Sequence, residues 1–291
     1  MKSFCSLFIF IAALWFPGAA KAQPTKTPAV SRQPQLVRTT TRHEVRRFGY
    51  GGTLTLIGAP EGSVTIEGWT RNEIDISAEI QLRADTEADL ALLAAVNTMA
   101  LIEDANHVQI LSTGTHDQAY MKRIAKKFPK ALLGLPWKID YRIRVPVSID
   151  LEVSTGRGPV SVSGVEGNIQ LTAAESEATL NLSGGTLSAI VAIGKIKLSV
   201  PTRSWRGNGV DLRVAAGELT LELAPGFSGD VNGDILRTGR IDDTYGLEAR
   251  RARGVAGPNQ LRAGAGAGGA AFQLTVGDGT VYIKKRVMST E

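Results

Sequence analysis

The sequence predicts an all-β fold: a parallel β-solenoid, β-helix-like or β-roll-like, with one inserted α-helix and a short basic amphipathic segment. Three observations predict it. Apolar and polar residues alternate with period two over much of the chain after Gly51, as strands with one buried face require. Glycine is abundant, 32 of 291 residues, while aromatics make up only 6%, a composition suited to tight turns and thin layers. A nine-residue grid runs through the middle: Gly158, Gly167, Gly185 and Gly194 fall on it, and Ser176 stands at the remaining point.

The chain opens with a segment of a different kind. Met1, Lys2 and Ser3 form a short positive start, Phe4–Phe16 is a thirteen-residue apolar run, Pro17 and Gly18 break it, and Ala20, Lys21 and Ala22 give a small-x-small cleavage site before Gln23. That is the layout of a secretory signal, and the run is shorter than the roughly 20 residues a membrane span needs. Residues 1–22 therefore read as a signal peptide, with the product exported to the periplasm, cell surface or exterior and carrying no transmembrane span. Cys5 is the one cysteine and lies inside the signal, which leaves neither a disulfide framework nor a thiolate metal site. The formal charge of +5 falls to +3 when Lys2 and Lys21 leave. That mild excess lacks the basic stripe of a nucleic-acid binder and fits weak attraction to an anionic surface.

Residues 23–42, with Pro24, Pro28 and Pro34 and no periodicity, read as a flexible tether. A single domain, 43–286, follows, with a helical insertion at 85–137 and a tail at 287–291. Leu54 and Leu56, then Val64 and Ile66, then Ile74 to Leu82 alternate as three strands. Thr86 and Asp89 resemble a capping box, and Leu90, Leu93 and Val96 follow at helical spacing, so Thr86–Leu101 is predicted as a helix covering an end of the sheet stack. His107–Ser112 is a strand. Tyr120–Trp137 gathers Lys122, Arg123, Lys126, Lys127 and Lys130 around Met121, Ile124, Ala125 and Phe128 at helical spacing. It is either a solvated amphipathic helix or an element that touches anionic lipid or glycan. Two strands in line follow, Ile139–Val145 and Val147–Val153, separated by Pro146.

The grid then takes over. The blocks PVSVSGVEG, NIQLTAAES, EATLNLSGG, TLSAIVAIG and KIKLSV each carry an apolar second residue (Val160, Ile169, Ala178, Leu187, Ile196) and an apolar fourth (Val162, Leu171, Leu180, Ala189, Leu198). One such block cannot bury its own apolar face, so blocks must stack at strand spacing. From Gly194 to Gly217 the step is 23 residues, five more than two blocks. The surplus reads as a loop, Pro201–Gly209, holding Trp205 between Arg203 and Arg206, either as an exposed binding anchor or tucked back over a corner of the core. Gly264–Gly269 reads as a flexible hinge. Phe272–Ile283 reads as a closing hairpin or two last rungs, and Lys284, Lys285 and Arg286 as a charged sheet edge.

The runs GGTLTLIG, GSVTIEGW, EIDISAEI, WKIDYRIRVPVSIDLEVSTGRGPVSVSGVEGNIQL and FQLTVGDGTVYIKK resemble an adhesin-like bacterial envelope family. The resemblance covers most of Gly51–Lys285. It implies an exported β-solenoid, and it brings no catalytic residues. The helix and the basic segment correspond to a variable insertion.

No chemistry-bearing motif emerges. His43, His107 and His116 share no i, i+4 spacing. Ser228 lies in Gly226-Phe227-Ser228-Gly229, which lacks the final glycine of a nucleophile elbow. Asp230, Asp234, Asp242 and Asp243 lack the tight spacing of calcium loops. Glu218 and Glu222 on one strand face stand about 13 Å apart, beyond the roughly 5–9.5 Å of paired glycosidase carboxylates. Asp211 and Arg213 have no evident partner. No cofactor, metal or catalytic residue is expected.

The leading expectation is thus a non-catalytic protein acting by surface contact, adhesin-like or an envelope scaffold, toward an envelope glycan, an anionic lipid surface or a partner protein. The binding candidates are Trp205, Arg203, Arg206, Lys122, Arg123, Lys126 and Lys127. The alternatives are a carbohydrate-active enzyme on a β-helix scaffold and an envelope-stress sensor binding a protein through the basic segment. Mass spectrometry of the protein recovered outside the cytoplasm should find Gln23 at its N-terminus; an intact Met1 there would refute the signal peptide.

Overall fold

A computed structural model describes residues 36–49, 51–58, 60–124, 127–249 and 259–286; the expected signal peptide, the expected tether up to Gln35 and the tail lie outside them. In chain order the elements are β1 (Leu36–Arg47), β2 (Thr53–Ile57), β3 (Val64–Trp69), β4 (Glu73–Ala84), α1 (Glu87–Val96), β5 (Thr98–Asp104), β6 (His107–Thr113), α2 (Gln118–Ile124), β7 (Trp137–Pro146), β8 (Asp150–Arg157), β9 (Val160–Ser163), β10 (Asn168–Asn181), β11 (Gly184–Val200), β12 (Arg206–Leu223), β13 (Gly229–Asp243), β14 (Glu248–Ala249), β15 (Gln260–Ala265) and β16 (Ala271–Lys285).

The grid explains the middle of the fold. Ile169 of β10 lies level with Leu151 of β8 on one side and Leu187 of β11 on the other, a step of eighteen residues. One coil is therefore two nine-residue blocks. The first arm of β10 pairs with β8 and its second arm with β9, so each long strand contributes to two layers and bends between them. Period-two alternation turns Ile169, Leu171, Ala178 and Leu180 into the space between layers, where they are at most 1% exposed, and the inward residues of both layers form one continuous core.

The bend is too tight for a side chain. At Gly194 and Gly217 φ is +131° and +143°, a region L-residues rarely adopt. A Cβ on Gly217 would lie 1.8 Å from the Gly194 carbonyl oxygen, and one on Gly194 would lie 2.1 Å from that of Ser176. Ser176, the exception on the grid, is 4% exposed, and its hydroxyl has no hydrogen-bond partner among the described residues.

The expectation of a purely parallel solenoid is corrected: the sheet is mixed and not closed. Strands β2, β8, β10, β11, β12, β16 and β13 pair in parallel. Antiparallel strands are added at both ends, β1 on β4 on β7 and β5 on β6 at one, β13 on β15 on β14 at the other. The physical reason is connection length. β5 and β6 are joined by two residues, which permits only an antiparallel return.

Other expectations change with this. From Leu36 onward the presumed tether is strand β1, fully paired with β4. The helix ends at Val96, and Thr98–Asp104 is strand; Thr86 caps α1 as expected, accepting from Asp89 N at 3.1 Å. The presumed hinge lies partly in β15, with Ala263 and Ala265 buried. Phe272–Ile283 forms neither a hairpin nor a terminal rung. β16 is a single strand inserted between β12 and β13, parallel to both, with Phe272 level with Val210 and Val231. Lys284 accordingly lies opposite Glu222 and not on an edge. Where the layers face each other, Tyr141 of β7 and Ser112 of β6 share a hydrogen bond of 2.7 Å, and burial pushes the phenol up to about 12.

Gly217→Ala should destabilise by roughly 2–4 kcal/mol, combining a forbidden φ with a backbone clash. Ser176→Ala should be neutral or stabilising by about 1 kcal/mol, since it removes a buried unpaired hydroxyl. Urea melts of the two variants check both signs.

Candidate functional site

The structure separates the binding candidates. Trp205 is buried at 6% exposure. Its Nε1 donates to the Gly185 carbonyl at 2.9 Å, and its ring meets Phe272 edge-on at 5.6 Å between centroids. Of the two readings of Trp205, the structure has the one in which it covers a corner of the core, and the exposed anchor is corrected. Trp205 turns inward from an otherwise largely exposed loop, and its indole completes an aromatic group with Phe272 and Phe227, the latter pair 5.4 Å apart. Arg203 stays exposed, with only its carbonyl engaged, by Ser228 N at 2.7 Å. Arg206 is exposed and pairs with Glu166. With the aromatic gone from the surface, this corner offers two separate arginines, one already neutralised.

The basic segment is assembled more purposefully. Asn97, 1% exposed, accepts from Thr115 N at 2.9 Å through Oδ1, and this holds the loop after β6. Asp117 Oδ1 then accepts from Ala119 N and Tyr120 N at 2.9 and 3.0 Å, which starts α2. Met121 points inward and is buried, while Lys122, Arg123 and Lys127 are exposed; Lys126 lies outside the described residues. A 3-10 turn at Lys130–Leu132 buries Leu132 and returns the chain to β7. Between these pieces lies an open cavity of about 740 Å³, lined by Met121, Phe128, Leu133 and His116, with Lys122 and Lys130 among its walls. Ile124 and Leu133 remain 48% and 41% exposed. Asp117 is the one acidic residue among the described residues from 115 to 135, and its carboxylate serves the helix start. The result is an apolar patch and cavity inside a cluster of cations.

Sequence reasoning found the cations, Met121 and Phe128 through helical spacing. It missed His116 and Leu133 because they reach the cavity from loops without periodicity. His116 packs 5.2 Å from the Trp137 ring, and burial depresses its pKa, opposed by the nearby Asp117 charge.

The other chemical candidates are held in pairs. Glu218 and Glu222 face Lys195 and Lys197 on the neighbouring strand, at 3.3 and 2.8 Å. Asp211 and Arg213, expected to be unpartnered, pair with each other at 2.6 Å. Asp234 pairs with Arg262 at 2.8 Å, and Asp243 accepts from the backbone of Tyr245, Gly246 and Leu247. His107 shares a hydrogen bond with Thr55 at 2.9 Å. No group of three or more metal-ligating side chains occurs among the described residues, nor any helix long and apolar enough to cross a membrane.

The pH dependence of His116 follows from its depressed pKa. The folded state binds its proton less readily than the unfolded chain, whose value is near 6.5. The stability contributed by the neutral ring is thus full above that value and is lost as pH falls through the lower folded value. His116→Gln should flatten the decline of thermal stability between pH 6.5 and 5; an unchanged slope would place the titrating group elsewhere.

No family model matches the chain, and no curated protein matches it. Among solved structures, the chain is similar to a "putative cell adhesion protein" of Clostridium sporogenes at 13% identity and TM-score 0.47, covering 85% of this chain and 100% of that one. It is similar to a "putative adhesin" of Bacteroides fragilis at 12% identity and TM-score 0.31, covering 88% and 100%. A "putative adhesin" of Parabacteroides merdae follows at 10% identity and TM-score 0.23, covering 84% and 95%.

Proposed function

We propose that this is an exported, non-catalytic β-rich protein that works by surface contact, as an adhesin-like or envelope-scaffold module, and that the basic insertion docks it on an anionic lipid surface. The observation that carries the reading is a cavity walled by Met121, Phe128, the exposed Leu133, Lys122 and Lys130, on an insertion that also exposes Ile124, Arg123 and Lys127. An interfacial element needs both parts, apolar groups to enter the headgroup boundary and cations to find it. The signal-like segment at 1–22 supports an envelope setting.

The magnitudes suit a reversible contact. Each cation close to an anionic leaflet contributes about 1 kcal/mol, and each buried Leu or Ile side chain about 1.5–3 kcal/mol at full burial. Four cations and two half-buried apolar groups give affinities between millimolar and micromolar. A module with such affinity stays at a surface when it is repeated, tethered or helped by a second contact.

The mature protein should co-sediment with vesicles containing one third phosphatidylglycerol and not with pure phosphatidylcholine vesicles, and binding should fall as salt rises. Lys122→Glu with Lys127→Glu should weaken it at least tenfold. Binding to neutral vesicles alone, or binding indifferent to the charge reversals, would refute the reading; capture of a protein by the insertion with no vesicle binding would replace the lipid surface by a protein partner.

A further inference from the structure

The outer surface of the layer built from β1, β4, β7, β3, β9 and the second arms of the long strands is chemically uneven. Toward the C-terminal coils several of its charged groups are paired, Glu218 with Lys195 and Glu222 with Lys197. Glu222 is bonded by Lys197 and Ser199 at 2.8 and 2.7 Å; burial would raise its carboxyl, and these partners outweigh burial and hold it below its ordinary range.

At the other end the outward groups are brought together and left open. Strand register places His43, Ser77, Arg142 and Thr65 in one row across β1, β4, β7 and β3. Asp75, Arg144 and Glu67 form the next row. Both rows line one groove of about 560 Å³. His43 Nε2 and Asp75 Oδ1 are 2.7 Å apart. Ser77 makes no hydrogen bond to His43, so the three do not form a nucleophilic relay. Arg142 makes no hydrogen bond or ion pair with any described residue. Arg144 lies over the Trp69 ring, 5.9 Å from its centroid, and its N–H donors have no acceptor among the described residues. The rows continue past the groove, from Thr65 to Ser161 and Thr179 and from Glu67 to Ser163 and Asn181. The side chains of those four flanking residues make no hydrogen bonds to described residues either.

We propose that this groove and the rows it opens onto bind an acidic oligosaccharide, a chain of uronic acid residues lying across the strands. The rows present hydroxyls and an amide at the strand spacing of about 4.8 Å, a track for a polymer rich in hydroxyl groups. Two guanidinium groups with free donors suit planar carboxylates, which they bind bidentately. Glu67 and Asp75 accept from sugar hydroxyls and repel a dianionic phosphate, so the same site selects a singly charged, hydroxylated ligand. The site shares no residue with the basic insertion, and it stands or falls independently of the vesicle experiment.

Calorimetric titration of the mature protein with oligogalacturonate, oligomannuronate and hyaluronate fragments tests it, with maltohexaose and inorganic phosphate as controls. At least one uronate oligomer should bind, and maltohexaose and phosphate at least tenfold more weakly. Arg142→Ala with Arg144→Ala should lower affinity tenfold or more at an unchanged melting temperature, and Arg142→Lys should restore part of it. Thr179→Glu, outward on the flanking row, should weaken binding several-fold without touching the arginines. Binding by none of the three oligomers, equal binding of maltohexaose or phosphate, or full affinity in the double arginine variant would each overturn the proposal.

Discussion

Everything in this fold depends on neighbouring coils meeting at one strand spacing through the corners as well as along the arms. Strands can hold that distance with any side chain, because side chains point away from the neighbour. Most of the corner cannot, since a Cβ on its glycines would enter the carbonyl of the coil beside it; Ser176, level with Gly194, is the exception. The column through Gly194, Gly217, Gly279 and Gly239 is the solution, with φ between +131° and +147° and each projected Cβ within 2.1 Å of the adjacent carbonyl oxygen. Backbone pairing continues around the bend in consequence, and two layers close over one core. The chain has no cysteine outside its first residues to staple such layers, so packing and uninterrupted pairing must supply the stability.

A stack of coils has two open ends and exposed edges, and the chain deals with each differently. At one end β1 turns charges inward. Arg42 donates to the Met99 carbonyl at 2.7 Å, Arg38 meets Glu87 at 2.7 Å, and Arg46 pairs with Glu44 and Glu103. Inward-pointing charge on an edge strand discourages a further strand from adding, while Leu90 and Leu93 of α1 supply the apolar cover. Toward the other end the order of coils departs from the order of the chain. β13 forms beyond a gap that only β16 fills, and Phe272 of β16 is the ring against which Trp205 and Phe227 pack. A purely sequential stack could lose its last coil and keep the rest. Here the C-terminal strand is an interior member, and folding must wait for a contact between residues far apart in sequence.

What was legible in the sequence follows from these causes. The nine-residue period, the inward residues and the helix cap are local facts, and Ile169, Leu171, Leu180, Leu198 and Thr86 stand where the spacing placed them. Strand β1 was missed because both of its faces are polar: Arg38, Arg42, Glu44 and Arg46 lie on one side and Thr39, Thr41 and His43 on the other, so no hydrophobic alternation marks it. The place of β16 was missed because alternation identifies a strand without naming its neighbours. Spacing left Trp205 open between surface and core for a related reason, its partner Phe272 being 67 residues away. The cations of the insertion were visible, the cavity they surround was not, and the groove of His43, Asp75, Arg142 and Arg144 draws on three strands that sequence spacing cannot align.

Polar satisfaction then distinguishes scaffold from surface. Exposed cross-strand pairs such as Lys195 with Glu218 contribute little to stability, typically under about 1 kcal/mol, yet they leave no donor or acceptor seeking a ligand. Where the outward rows are already paired, the sheet is closed to specific contact in the same sense that its core is closed to water. Open groups line the cavity of the insertion and the groove around Arg142, and the exposed side chains of Arg203, Gln170 and Arg240 likewise make no hydrogen bond or ion pair with a described residue. The insertion and the groove lie where the repeat gives way to antiparallel strands and loops, while the flanking hydroxyl rows run on into the parallel strands β9 and β10. A regular coil repeats the same outward chemistry at every step, whereas the irregular end can place an arginine beside a carboxylate and a hydroxyl without copying them along the stack. Departure from the grid is thus what lets the irregular end gather unlike side chains on one surface, and the remaining coils repeat behind it.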